Sequence, residues 1–245
     1  MNDVTDISGF RVFNRGEVGS AHVFAHRMLD AGQPAEGSAR LGRWLESHHG
    51  EGSTWVHVQW HQMVFDLALG SWDAAYRRFM EHVLPHAGSD AMTDAPSGIW
   101  RLWLAAPGPV NLPWAQVGES VSATRLRHRD PYVVLHALLA LAGAGDLASL
   151  EAGLDASAEE RRTPPALLAM GRALHGYAAG DYAGALAAFD QGLPGLSELG
   201  GSRAQNELFV DLYRLTFSRA TAQGPRVASA MGRVSEAQGA ATLAA

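Results

Sequence analysis

The stretch ALHGYAAGDYAGALAAF, residues 173–189, decides the fold class. Gly180 is suited to end one alanine-rich segment, because glycine adopts the left-handed C-cap conformation without strain. Asp181 follows with a carboxylate that can cap the next helix. Apolar side chains then recur at helical spacing, at Tyr182, Ala185 and Phe189. The stretch therefore predicts two antiparallel helices joined by a tight turn.

Similar glycine turns recur along the chain at spacings of 35 to 44 residues. They are Gly32, Gly70, Gly108, Gly145, Gly180 and Gly224. A period of this length is typical of stacked helix pairs. We therefore predict an all-α protein, a tetratricopeptide-like α-solenoid of about six antiparallel helix pairs.

The predicted pairs occupy most of the chain between a short arm, 1–19, and a flexible tail, 239–245. The helical-repeat domain is predicted over 20–238. Its pairs are expected at 20–31 and 35–47, 54–69 and 72–84, 96–105 and 112–125, 132–143 and 147–160, 165–178 and 182–193, and 203–222 and 225–238. N-cap oxygens are expected from Ser71, Asp146 and Asp181, and a capping box from Ser202 and Gln205.

Composition excludes several classes of function. The net charge of -6 lacks the positive field that nucleic acid binding requires, so no nucleic acid partner is expected. The chain has no cysteine and no lysine, which excludes any cysteine-ligated or lysine-bound cofactor. The longest apolar stretch, 132–141, is too short for a bilayer span, and residues 1–19 lack a secretory core. We expect a cytoplasmic protein with no membrane partner.

Four stretches together resemble the tetratricopeptide-repeat protein 38 family. They are AHVFAH at 21–26, HVQWH at 57–61, DAPSGIWR at 94–101 and GGSRAQ at 200–205. The resemblance implies paired-histidine and tryptophan motifs on successive helical repeats, and it covers about residues 20–235. Family members are usually about twice as long, so the chain resembles their C-terminal half, and another chain could supply the remaining repeats. Gln59, Asp66 and Arg203 stand where the family has tryptophan, histidine and histidine.

Histidines are concentrated in the first units, since eight of the 11 precede residue 90. His22 and His26, and again His57 and His61, are i, i+4 pairs, which place two imidazoles on one helical face. Counting back from the turn glycines puts these residues on, or at the border of, the predicted concave groove. His136 has the same distance to its turn glycine as His61 and is predicted to extend the row.

Such a cluster permits three interpretations. Neutral imidazoles can ligate a divalent metal, with His22, His26, His57 and His61 as candidate ligands. They can also act as acids and bases, with His57, His61, Asp94 and His136 as candidate catalytic residues. They can equally be packed interhelical side chains. Asp94 would orient an imidazole, or it would only cap the helix that begins nearby.

Aromatic and cationic residues give the same groove further candidates. Arg101 could clamp a carboxylate or phosphate. Trp60, Trp100 and Trp103 could form an aromatic wall, although large aromatic residues at helical spacing more often belong to the core. His82 and His86 form a third i, i+4 pair that we expect on the exposed convex side.

The first functional hypothesis is a protein that binds a small molecule or peptide in this groove. The contacting residues would be His22, His26, His57, Trp60, His61, Trp100 and Arg101. The alternative is an enzyme that uses the same cluster for acid–base or metal-assisted hydrolysis, elimination or isomerisation. A structural adaptor for a protein partner is the third hypothesis. The cofactor stays open, with a divalent metal as one option.

Overall fold

Helices form all the regular structure in residues 18–88 and 93–242, which the computed structural model describes, with side chains described up to residue 222. The α-helices are α1 (Val18–Asp30), α2 (Pro34–Ser47), α3 (Ser53–Ala68), α4 (Trp72–Arg78), α5 (Asp94–Leu104), α6 (Trp114–Glu119), α7 (Pro131–Ala144), α8 (Leu147–Glu159), α9 (Pro165–Ala179), α10 (Tyr182–Gly192), α11 (Leu196–Leu199) and α12 (Arg203–Thr242). Shorter π- and 3₁₀-helical segments lie at Phe79–Val83, Leu84–His86, Arg125–Arg127 and Leu193–Gly195. The all-α prediction is confirmed for this part of the chain.

Most of the predicted turns form as the local sequence requires. Four of the turn glycines have left-handed φ values, between 65° and 80°. They are Gly32, Gly70, Gly145 and Gly180. Asp146 accepts a hydrogen bond from Ser149 N at 3.1 Å, and Asp181 accepts one from Gly184 N at 2.9 Å. Ser71 makes no side-chain cap, and Gly108 is not left-handed, so these two predictions are wrong.

Two predicted pairs differ from the structure. The second helix of the third pair, α6, ends at Glu119 after only two turns, in a segment that follows Pro107, Pro109 and Pro113. The sixth pair does not exist, because α12 continues through the predicted turn at Gly224 and Pro225. An interior proline removes one helical hydrogen bond and its ring clashes with the carbonyl of residue i−4, so Pro225 by itself opposes the continuous helix that is observed.

Successive first helices pack side by side, in the order α1, α3, α5, α7 and α9, and each contacts the second helix of its own pair. The last helix departs from this order, since α12 contacts α1 and α5 as well as α10. Arg203, near its start, donates to Asp30 O at 3.0 Å. The start of α12 thus lies against α1 and α5, beside the helices that carry the predicted histidines.

The start of α12 is fixed by the predicted capping box. Ser202 N donates to Gln205 Oε1 at 2.8 Å, and Gln205 N donates to Ser202 Oγ at 3.3 Å. Of the predicted tail, 239–242 belong to α12, while 243–245 lie outside the described residues, as does most of the predicted arm, 1–17. No helix in the described part of the chain has the length and apolar composition to cross a membrane.

Candidate metal centre

Four imidazoles converge between α1 and α3. We call His22, His26, His57 and His61 the four-histidine cluster. Their ring centroids are 4.4 to 5.9 Å apart in every pairing. Each ring offers one nitrogen such that all four nitrogens lie within 4.8 Å of one another. The i, i+4 pairs that the sequence predicted are therefore brought together into one group.

The convergence follows from the way in which α1 packs on α3. Ala21 and Ala25, each adjacent to a cluster histidine, are fully buried, and their small side chains allow the helices to approach closely. Phe24 and Phe65 fill the same interface. Because the backbones are close, the histidines next to these alanines meet those of α3.

Asp94 fixes the orientation of His57. The His57 Nδ1 lies 2.7 Å from Asp94 Oδ1, and the carboxylate side chain is only 2% exposed. Asp94 is the first residue of α5, and Thr93 occupies the N-cap position, so the interpretation of Asp94 as a cap is wrong. A carboxylate accepts hydrogen bonds, so in this pairing a neutral His57 would donate from Nδ1 and present the lone pair of Nε2. A metal-ligating histidine is commonly held in this way.

The floor of the cluster consists of His61 and Trp60, both with no exposed surface. The Trp60 indole stacks on the His57 ring at a centroid distance of 5.3 Å and an angle of 7°. Both ring nitrogens of His61 are buried, and neither has a hydrogen-bond partner. A buried polar atom without a partner is unfavourable by about 1–3 kcal/mol, and Trp60 Nε1 beside His61 is also buried without a partner.

The cluster favours uncharged imidazoles. Burial, followed by the nearby His57 and His26, lowers the pKa of His22 to about 4. Burial is also the main cause that lowers the pKa of His26 and, more strongly, of His61. Three of the four rings are therefore neutral near pH 7, which is the state that binds a metal.

The residues present fit a divalent transition metal. In a tetrahedral site with metal–nitrogen distances of about 2.0–2.1 Å, ligand nitrogens are about 3.3 Å apart. His22 Nε2 and His26 Nε2 are 2.7 Å apart, and the widest separation is within 4.8 Å, so small rotamer changes would satisfy that geometry. A ligand set consisting only of imidazoles suits zinc, copper, nickel or iron.

Arg101 lies on the other side of Trp60. Its guanidinium carbon is 5.6 Å from the Trp60 ring centroid, and its Nη2 donates to Ala204 O at 2.5 Å and Gln205 O at 3.3 Å. Its charge contributes to lowering the pKa of His61, although burial contributes more. Arg101 therefore joins the cluster region to the start of α12.

Two predicted site residues belong to the core instead. Trp100 is only 3% exposed, donates from Nε1 to Leu139 O at 3.0 Å, and packs against Trp103 and Trp114. His136 is 1% exposed, and its Nδ1 lies 2.9 Å from Tyr132 O. It is not part of the four-histidine cluster. The prediction that it extends the row is wrong, because α7 buries that position between helices.

The burial of His136 makes stability depend on pH. Burial lowers its pKa to about 4, whereas an exposed imidazole titrates near 6.5. Between these values the unfolded chain binds a proton that the folded chain does not, so stability decreases as the pH falls through this window. We expect His136→Asn to remove about 2 kcal/mol of this loss, measured as urea unfolding at pH 7 and at pH 4.5. An equal loss in both proteins would show that His136 is not responsible.

A second polar group, which the sequence pattern did not predict, lies between α3 and α4. Asp66, Gln59 and Arg78 are linked there, with Arg78 Nη1 donating to Gln59 Oε1 at 2.6 Å and Nε to Asp66 Oδ2 at 3.4 Å. Gln62 Nε2 also donates to Asp66 Oδ1 at 3.0 Å. These bonds join α3 to α4, although Gln62 Oε1 stays buried without a partner. His82 and His86, on the segment after α4, are at least partly exposed, as expected.

Comparison of the chain with protein-family models, with curated proteins and with solved structures gives no match.

Proposed function

We propose that this chain binds a divalent transition metal through the four-histidine cluster, and that a small molecule or peptide binds beside it. The observation that carries the proposal is the group of four ligand nitrogens within 4.8 Å of one another. The pair formed by Asp94 and His57, 2.7 Å apart, supports it, since such a carboxylate orients a ligating imidazole. The unpartnered nitrogens of His61 support it independently.

We also propose the architecture in finer terms, as a tetratricopeptide-like stack related to the tetratricopeptide-repeat protein 38 family. The side-by-side order of α1, α3, α5, α7 and α9 supports a stack. The four sequence stretches that carry the family resemblance contain the cluster histidines, Asp94 and Arg101. Helical repeats commonly use their concave surface for binding, which agrees with a site on the first helices of the pairs.

Equilibrium dialysis of the whole chain against zinc tests the metal proposal. We expect one zinc per chain, and we expect His22→Ala with His26→Ala to lose it. These two side chains are only partly buried, so their removal disturbs the core less than removal of His61. The control is His82→Ala with His86→Ala, which removes an i, i+4 pair outside the cluster. Equal zinc binding by both double variants would overturn the proposal.

Asp94→Asn tests the role of the orienting carboxylate. The amide retains the size of the side chain but not its charge, so His57 becomes a weaker and less fixed ligand. We expect zinc affinity to decrease about 10- to 100-fold, as is typical when such a partner is lost. Competition with a chromogenic chelator measures the change. Unchanged affinity would exclude the carboxylate from the metal site.

A second candidate function is acid–base or metal-assisted catalysis at the same cluster, such as hydrolysis, elimination or isomerisation. The specific observation in its favour is again the Asp94–His57 pair, which leaves the basic His57 Nε2 directed away from the carboxylate. With four imidazole ligands a tetrahedral metal has no open position. A catalytic metal would therefore need five-coordination or the release of one histidine.

A further inference from the structure

A cleft lies one helical turn beyond the four-histidine cluster. It is bounded by α1, α3, α5 and the start of α12, and its volume is about 590 Å³. Leu29 and Val64, three residues after His26 and His61, line it, and so do Leu67, Ala68, Leu104 and Ala105. A largely apolar cleft of this size, with a few charged groups, is typical of small-molecule sites.

Arg101 contributes a partly buried cation to this cleft, where burial lowers its pKa and the nearby Asp211 and Glu207 oppose that effect. Both of its hydrogen bonds come from Nη2 and end on backbone carbonyls. Its Nε is buried and has no partner, and no carboxylate of the described residues forms an ion pair with it. A guanidinium with an unpaired donor and no carboxylate in contact can bind the anionic group of a ligand.

The other charges of the cleft favour a ligand with one negative charge over a ligand with two. Arg203 is at the rim, with a side chain 68% exposed, and is already 3.7 Å from Asp30 Oδ1. Glu207 and Asp211 also line the cleft, and Asp211 is bound to Arg214 at 2.8 Å. These carboxylates would repel a doubly charged phosphate more strongly than a carboxylate.

We propose that the cleft binds a monocarboxylic acid with an apolar chain, whose carboxylate pairs with Arg101 and whose chain lies against the apolar lining. The planar guanidinium is suited to hold a carboxylate, and its carbon lies 5.6 Å from the Trp60 ring centroid. The inference depends on the ligand-binding part of the proposed function and not on the metal.

Calorimetric titration of the whole chain with octanoate, octanol and octyl phosphate, with chelator present, tests the inference. We expect octanoate to bind one per chain and at least tenfold more tightly than either analogue, since a charged hydrogen-bonded pair contributes about 1.5–3 kcal/mol. Arg101→Gln should abolish this preference for octanoate over octanol. Arg43→Gln, which removes an exposed charge from α2, should not change it.

Arg101 also donates hydrogen bonds to the start of α12, so a loss of binding by Arg101→Gln has two explanations, a lost ligand contact and a destabilised fold. A variant at another residue separates them. Ala68 is exposed and lines the cleft, and Ala68→Trp should block octanoate while the helicity and zinc binding stay unchanged. Equal affinity for octanoate and octanol, tighter binding of octyl phosphate, or undiminished binding by Ala68→Trp would each overturn the inference. Zinc binding without octanoate binding would leave the metal proposal intact and reject only this one.

Discussion

Zinc is expected to raise the free energy of unfolding of this chain by about 4 kcal/mol when free zinc is about a thousandfold above its dissociation constant. The four ligand nitrogens lie within 4.8 Å only when α1 is packed on α3, so the unfolded chain has no comparable site. For a chain of this length the gain corresponds to a melting temperature about 8–16 °C higher. A chelator should reverse it.

The matched variants decide whether the effect arises at the cluster. His22→Ala with His26→Ala should lose the zinc-dependent shift, because two of the four ligands are gone. His82→Ala with His86→Ala retains all four and should keep the full shift. Scanning calorimetry with zinc and with chelator gives both values. A shift that survives in the first variant, or disappears in the second, would place the zinc elsewhere.

The turns could be predicted from the sequence because each one is determined by residues that are close together in the chain. Gly145 and Gly180 are left-handed, and Asp146 and Asp181 cap the helices that follow, since each contact spans only a few residues. The length of α12, in contrast, could not be predicted from the residues near its expected turn. The proline signal at Pro225 predicts a helix start, but α12 continues through it, and nothing in the local sequence encodes that outcome.

The candidate site could likewise be predicted only as far as residue spacing within one helix determines it. The i, i+4 spacing predicts two imidazoles on one face of α1 and two on α3, but their convergence depends on how these helices pack. Asp94 precedes Pro96 in a pattern typical of a cap, and its contact with His57 spans 37 residues. His136 shares the position of His61 relative to its turn glycine but is separated from the cluster by helix packing. Such long-range placement determines which candidates meet.

A substitution at Gly201, just before α12, is expected to lower the free energy of unfolding more than a substitution at most other turn glycines. Gly201 has a φ of 76°, and a Cβ there would lie 2.5 Å from Cζ and the hydroxyl oxygen of Tyr132. Tyr132 is only 7% exposed, so the surrounding side chains restrict any movement of its ring. Gly201→Ala should therefore lower the free energy of unfolding by about 2–4 kcal/mol, from backbone strain of about 1 kcal/mol together with overpacking.

Gly70→Ala is the matched control, because its φ is 73° and a Cβ there would meet no atom within 4 Å. It should lose only the strain contribution of about 1 kcal/mol, so the difference between the variants measures the contact with Tyr132. Urea unfolding gives both values, and hydrogen exchange of 203–212 should increase only in Gly201→Ala. Because Arg101 donates to the carbonyls of Ala204 and Gln205, a displaced α12 start would also loosen the cleft. Equal losses in the two variants would mean that Tyr132 does not fix the position of α12.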